Sequence, residues 1–167
     1  MISKLMESYR NKVRSIFIDH YTSALIDLIQ LTIKSDTSSL VGHYNFLHYL
    51  LELRTLVVAG PRQTGKTELL KKLFKDHKNK ALYVTHNHAT QRDIAHSLNT
   101  QRDINSIQRF DRFDRLTKGL NHHYDIIIFD ECYNRENFEK VYESLELWKT
   151  QNYNLTIIAL QSPAMLK

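Results

Sequence analysis

The sequence has little cysteine, proline or glycine, and these shortages exclude several classes of protein. Cys132 is the only cysteine among 167 residues, so an internal disulfide and a four-cysteine zinc ribbon are excluded. Four glycines and two prolines leave few positions for tight turns, and we find no internal repeat or low-complexity stretch. We expect a compact protein that consists mostly of helices and strands and that resides in a reducing compartment.

Long hydrophobic runs are also missing. Asp19, His20, Ser23 and Asp27 interrupt the apolar residues near the N-terminus, where a secretory signal needs a continuous apolar region. No stretch approaches the roughly 18 consecutive apolar residues of a membrane-spanning helix. We therefore expect a cytoplasmic protein without a membrane partner.

Composition and charge describe one globular unit that prefers anionic partners. A hydrophobic content of 42% is enough for a sizeable core, and 23 basic against 18 acidic residues give a formal net charge of +5. The excess is spread along the chain, so it favours nucleic acid only weakly. The lysines between residues 71 and 80 suit either nucleic-acid phosphates or a solvated helix face.

Hydrophobic spacing predicts alternating strands and helices. Apolar runs predict strands at 55–59, 81–85, 125–130 and 155–160, with a further short strand at 104–110. Helical spacing predicts helices at 1–33, around 47–51, and at 66–77, 89–98, 112–120 and 138–148. This order predicts an α/β fold whose mostly parallel sheet has helices on both sides. We assign residues 1–40 to a helical N-terminal segment and 41–167 to the α/β domain.

The segment 60–67 carries most of the functional argument. It follows a predicted strand, opens a predicted helix and has the spacing of a P-loop. In such a loop Gly60 and Gly65 let the backbone curl around phosphate, Lys66 reaches the β and γ phosphates, and the Thr67 hydroxyl binds Mg²⁺. A chance match is the alternative, and the flanking strand and helix argue against it. The predicted nucleotide contacts are Gly60, Pro61, Arg62, Gln63, Thr64, Gly65, Lys66 and Thr67.

A second motif, Asp130-Glu131, ends the strand predicted at 125–130. Two acids after an apolar run suit either an ordinary strand edge or an ATPase site, and the P-loop upstream favours the second interpretation. We predict that Asp130 holds Mg²⁺ through a water molecule. Glu131 is then placed to polarise the water that attacks the γ-phosphate.

Gln161 directly follows the last predicted strand, at the edge where open parallel sheets bind ligands. Two interpretations stay open for it: contact with the γ-phosphate, or a turn that terminates the strand.

Together these residues resemble the ATPase domain of phage terminase large subunits, the DNA-packaging motors, and more distantly superfamily 1 and 2 helicases. The resemblance covers roughly residues 47–163 and rests on 62–67, Asp130-Glu131 and 161–163. It implies a RecA-like P-loop NTPase fold in which the Gln161 strand lies between the two motif strands.

The resemblance also implies roles for individual residues and for partners. Arg62 would act on the γ-phosphate as a third catalytic residue beside Lys66 and Glu131. Residues 161–163 would couple hydrolysis to DNA movement, and Thr85 and His86 would contact nucleic acid. The implied cofactors are ATP and Mg²⁺, and the implied partner is nucleic acid, with DNA favoured, in a viral protein of the host cytoplasm.

A single motor domain needs a second moving element, so we expect a homo-oligomer or a larger motor assembly. Terminases continue into a nuclease domain and helicases into a second RecA-like domain, whereas this sequence ends at Lys167. We expect either one part of a larger motor or a reduced ATPase.

Two alternatives belong to other functional classes. The first is an ATP-dependent switch or adaptor that does not translocate. The second is a nucleoside kinase, because Gly60-Pro61 and the residues from Gly65 onward also resemble the phosphate loop of zinc-containing thymidine kinases. The single cysteine removes the zinc site of that kinase family.

Overall fold

Parallel strands form the centre of the fold. The computed structural model describes residues 19–61, 64–77, 80–98, 107–109, 124–132, 140–141, 143–145 and 152–162. Its strands are β1 (Thr55–Ala59), β2 (Ala81–Thr85), β3 (Ile107–Arg109), β4 (Ile126–Asp130) and β5 (Thr156–Gln161). They form one parallel sheet in the order β1-β5-β4-β2-β3. β5 lies between the two motif strands, as predicted.

Helices alternate with these strands. They are α1 (19–34), a short 3-10 turn (Ser38–Leu40), α2 (Phe46–Leu53), α3 (Lys66–Asp76) and α4 (His88–Ser97), and residues 140–141 and 143–145 are also helical. The predicted helix at 112–120 and the first 18 residues lie outside the described residues. Within the described part of the chain, none of the helices combines the length and apolar character needed to span a membrane.

The sheet is covered on both faces. Every residue of β2, β4 and β5 is buried, as expected for central strands of a parallel sheet. One hydrophobic cluster joins one face to α2 and to Val141 and Leu145, and a second joins the other face to α1, α3 and α4. This is the predicted RecA-like P-loop NTPase fold.

Helix α1 packs onto the same sheet as α3. Leu25 and Ile29 are 2% and 3% exposed and belong to the cluster that contains Leu70 and Ile158. Residues 19–34 are thus helical, and they share a hydrophobic core with the sheet. The division at residue 40 stays a prediction about sequence organisation.

Arg54, which precedes β1, connects the end of α1 to the start of β5. Its side chain is buried, and burial lowers the pKa of its guanidinium. The guanidinium nitrogens donate at 2.6 to 3.4 Å to the backbone oxygens of Thr32, Ser35, Asn154 and Leu155 and to the Thr156 hydroxyl. These acceptors offset the cost of burying the charge.

Candidate nucleotide-binding site

The motif residues meet because β1, β5 and β4 are neighbours that end at the same edge of the sheet. Gly60 N donates to Gln161 O at 2.9 Å, and Glu131 N donates to Leu160 O at 3.2 Å. The chain segments after all three strands are therefore held side by side. Ligands of open parallel sheets bind at this carboxyl-terminal edge.

The described part of the P-loop curls around the Lys66 ammonium group. Gly65 has φ +77° and is the N-cap of α3, a left-handed conformation that glycine adopts without strain. Lys66 Nζ donates to Gly60 O at 3.0 Å and to Pro61 O at 2.6 Å, and the Thr64 hydroxyl donates to Pro61 O at 2.9 Å. The N-terminus of α3 thus lies beside the buried ammonium group of Lys66. This combination suits a phosphate ligand.

Gly60 lies against a side chain of the N-terminal helix, a contact that the sequence did not reveal. Its φ is not positive, so the predicted backbone curl does not depend on it. A Cβ added at Gly60 would lie 1.6 Å from the Tyr21 hydroxyl oxygen and 2.5 Å from Cζ of that ring. The N-terminal helix α1 therefore contacts the first residue of the P-loop through Tyr21.

Thr67 and Asp130, the two predicted magnesium residues, lie together. The Thr67 hydroxyl donates to Asp130 Oδ1 at 3.2 Å, and Asp130 Oδ2 accepts a hydrogen bond from the Tyr83 hydroxyl at 2.8 Å. Burial raises the pKa of Asp130, and the hydrogen bonds from Tyr83 and Thr67 oppose that rise. Hydroxyl and carboxylate oxygens in this arrangement fit Mg²⁺, which prefers oxygen ligands.

Glu131 is held by contacts on both of its carboxylate oxygens. Oε2 accepts hydrogen bonds from Ser162 N at 2.8 Å and from the Ser162 hydroxyl at 2.9 Å. Oε1 lies 3.7 Å from Lys66 Nζ. Glu131 also has φ +56°, a conformation that non-glycine residues adopt where the surrounding structure holds them, often at functional sites.

Gln161 is fully buried at the end of β5, and neither atom of its side-chain amide has a hydrogen-bond partner in the described structure. Buried amides are normally paired, because an unpaired one costs about 1–3 kcal/mol. β5 continues through Gln161 rather than turning before it. Both observations favour ligand contact over the interpretation as a terminating turn.

A family model for the AAA domain matches residues 52–166, which include the whole P-loop, Asp130-Glu131 and Gln161. The chain belongs to the AAA domain family. Membership makes it a P-loop ATPase and implies binding and hydrolysis of ATP. A comparison with curated proteins gives no match.

Some of the remaining predicted site residues of this AAA domain lie outside the described part of the chain, and others lie within it. Arg62, Gln63 and Pro163 lie outside the described residues, so their roles stay predictions. Thr85 is fully buried and its hydroxyl donates to Asn87 O at 3.1 Å, whereas His86 is exposed. Of the two residues predicted to contact nucleic acid, only His86 has an accessible side chain.

The lysine stretch is partly neutralised by neighbouring acids. Lys71 pairs with Glu68 at 2.8 Å, and Lys80 pairs with Asp125 at 2.9 Å. Lys72 and Lys75 are exposed on α3. Most of this stretch therefore fits a solvated helix face.

Sequence reasoning missed two residues that contact the candidate site, Tyr21 and Tyr83, and missed how Ser162 contacts Glu131. Both tyrosines occupy positions that read as ordinary core residues, one on a helix and one in an apolar strand. No local pattern distinguishes them, since their contacts depend on how α1 and β2 dock. Ser162 follows the last predicted strand, next to Gln161. The expectation that ligands bind at the carboxyl-terminal edge of the sheet could therefore have included it.

Proposed function

We propose that this AAA domain is a magnesium-dependent ATP-hydrolysing motor domain that acts on nucleic acid. The observation that carries the proposal is the convergence of Lys66, Thr67, Asp130 and Glu131 at the end of one parallel sheet. These residues provide a cation for phosphate, oxygen ligands for a metal and a carboxylate for water. P-loop ATPases combine the same three functions.

Lys66 is proposed to bind the phosphates by exchanging its present partners. An ammonium group has three N–H donors, and those of Lys66 face the oxygens of Gly60 and Pro61 and the Glu131 carboxylate. Phosphate oxygens carry more negative charge than backbone carbonyls, so they compete well for these donors. Exchange also separates Lys66 from Glu131, which leaves that carboxylate oxygen available to a water molecule.

Asp130 and Thr67 are proposed to hold the metal, and Glu131 to orient the attacking water. When bound, Mg²⁺ would neutralise charge on the β and γ phosphates. Ser162 keeps one Glu131 oxygen fixed through two hydrogen bonds while the other oxygen faces Lys66. Gln161 is proposed to bind the γ-phosphate or the water, because its buried amide lacks a partner within the described residues.

Nucleic acid is proposed as the partner because of the chain's charge and the family resemblance. The net charge of +5 favours a polyanion, and Lys72, Lys75 and His86 are exposed. The resemblance to terminases and helicases supports DNA in particular. Because one motor domain lacks a second moving element, we propose that it acts as a homo-oligomer or within a larger assembly. A role as a nucleoside kinase is not proposed, since the AAA domain match accounts for the P-loop.

A nucleotide-dependent switch is the second candidate. The observation that favours it is the engagement of both Glu131 oxygens by Ser162 and Lys66. If those contacts persist with ATP bound, water cannot be oriented and turnover is slow. ATP binding would then act mainly by changing the affinity for a protein partner.

The steady-state ATPase rate separates these candidates. We would measure it with no addition, with single-stranded DNA and with double-stranded DNA, for the wild type, Glu131→Gln and the control Glu52→Gln. Glu52 is an exposed acid on α2, so its replacement tests the effect of a lost charge away from the site. Stimulation by DNA that only Glu131→Gln loses supports the motor. Tight ATP binding with negligible turnover in every condition supports the switch instead.

A further inference from the structure

Tyr83 lies in the middle of β2 and is fully buried. The Phe74 ring packs edge-on against the Tyr83 ring, with 5.8 Å between centroids. An ionised carboxylate can only accept hydrogen bonds, whereas a tyrosine hydroxyl can donate one. Tyr83 is therefore a fixed hydrogen-bond donor, and its acceptor is Asp130 Oδ2 at 2.8 Å.

This hydrogen bond divides the two oxygens of Asp130 between two tasks. Oδ2 faces the core and accepts from Tyr83, while Oδ1 accepts from Thr67 on the P-loop helix. A carboxylate with one oxygen anchored has little freedom to rotate about its Cβ–Cγ bond. Without the Tyr83 hydroxyl, the longer hydrogen bond from Thr67 to Oδ1 would be the restraint that remains on the carboxylate among the described residues.

We propose that Tyr83 is a positioning residue for magnesium: its hydroxyl holds the Asp130 carboxylate so that Oδ1 stays beside Thr67. The inference rests on the proposed function, in which Asp130 and Thr67 hold the metal. Groups that orient a metal-binding carboxylate affect metal affinity although they never touch the ion. A tyrosine that only fills the core would affect stability and leave the magnesium requirement unchanged.

The test compares Tyr83→Phe with Tyr49→Phe. Tyr83→Phe removes one oxygen and keeps the ring against Phe74. Tyr49 is also buried, and its hydroxyl bonds to Thr37, which lies outside the candidate site. Binding of a fluorescent ATP analogue would be measured against Mg²⁺ concentration and again in excess EDTA, with thermal unfolding followed for each variant.

For Tyr83→Phe we expect the Mg²⁺ concentration at half-saturation to rise about tenfold, with binding in EDTA unchanged within about twofold. Tyr49→Phe should keep the wild-type Mg²⁺ dependence. The same Mg²⁺ dependence in Tyr83→Phe and wild type would overturn the inference and leave the proposed function standing. A wild type that binds the analogue without any effect of Mg²⁺ would overturn the proposed metal site and the inference with it.

Discussion

Arg54→Met is expected to destabilise the protein strongly without touching the nucleotide site. Methionine is similar in length and retains much of the packing, but it donates no hydrogen bond. Arg54 is 5% exposed, and its guanidinium has acceptors on both α1 and β5. The substitution therefore removes the polar connection between the N-terminal helix and the sheet.

The magnitude follows from which acceptors water can reach after the change. The bonds to Leu155 O and to the Thr156 hydroxyl are buried, whereas those to Thr32, Ser35 and Asn154 are only partly buried. Each buried acceptor left unpaired costs about 1–3 kcal/mol, and the partly buried ones can be rehydrated. Removing the buried charge returns part of this cost. We expect a net loss of about 3 kcal/mol, or a fall in Tm of roughly 10 °C for a chain of this size.

Chemical denaturation followed by circular dichroism measures this loss, with two comparison variants. Lys80→Met removes an ion pair to Asp125 whose side chains are 68% and 35% exposed, so it should cost less than about 1 kcal/mol. Arg54→Lys keeps the charge but has only three N–H donors. Its free energy of unfolding should therefore lie between those of the wild type and Arg54→Met. If Arg54→Met and Lys80→Met have the same stability, the acceptor argument is refuted.

Three further predictions concern the site itself. Gly60→Ala should weaken ATP binding in a titration with a fluorescent analogue, because overpacking of this kind costs about 1–3 kcal/mol. The double variant that also carries Tyr21→Ala should regain most of the lost affinity. If it does not, the contact between Tyr21 and Gly60 is contradicted. Ser162→Ala should lower kcat about fivefold, since it removes one of two hydrogen bonds to Glu131 and each contributes about 1 kcal/mol. An unchanged ATPase rate would show that the Ser162 hydroxyl does not position the Glu131 carboxylate. Lys66→Ala should abolish nucleotide binding in the same titration, whereas Glu131→Gln should keep it, and measurable affinity in the Lys66 variant would sink the P-loop assignment.

The strands were the part of the fold most accessible from sequence. The run at 81–85 coincides with β2, and those at 125–130 and 155–160 match β4 and β5 within one residue at each end. These runs are apolar without alternation because both faces of each strand are buried. β3 has only three residues, too short for periodicity to delimit. The position of β5 between the two motif strands came from the family resemblance, since hydrophobic spacing carries no information about which strands are neighbours.

The candidate site was predictable where chemistry is local and not where it depends on docking. Lys66 and Thr67 follow from the spacing of one loop, and Asp130 from the end of one strand. Tyr83 acts on Asp130 from 47 positions away in the sequence, which requires β2 to lie beside β4. Tyr21 reaches Gly60 only because α1 packs on the sheet.

The central position of β5 explains why the residues that follow it affect both motifs. The carbonyl of Gln161 accepts from Gly60 at the start of the P-loop, and Ser162 donates twice to Glu131 on the opposite side. A displacement of the end of β5 would therefore move the phosphate-binding loop and the proposed catalytic carboxylate at the same time. A γ-phosphate bound to the buried Gln161 amide, as proposed, would lie at the junction between them.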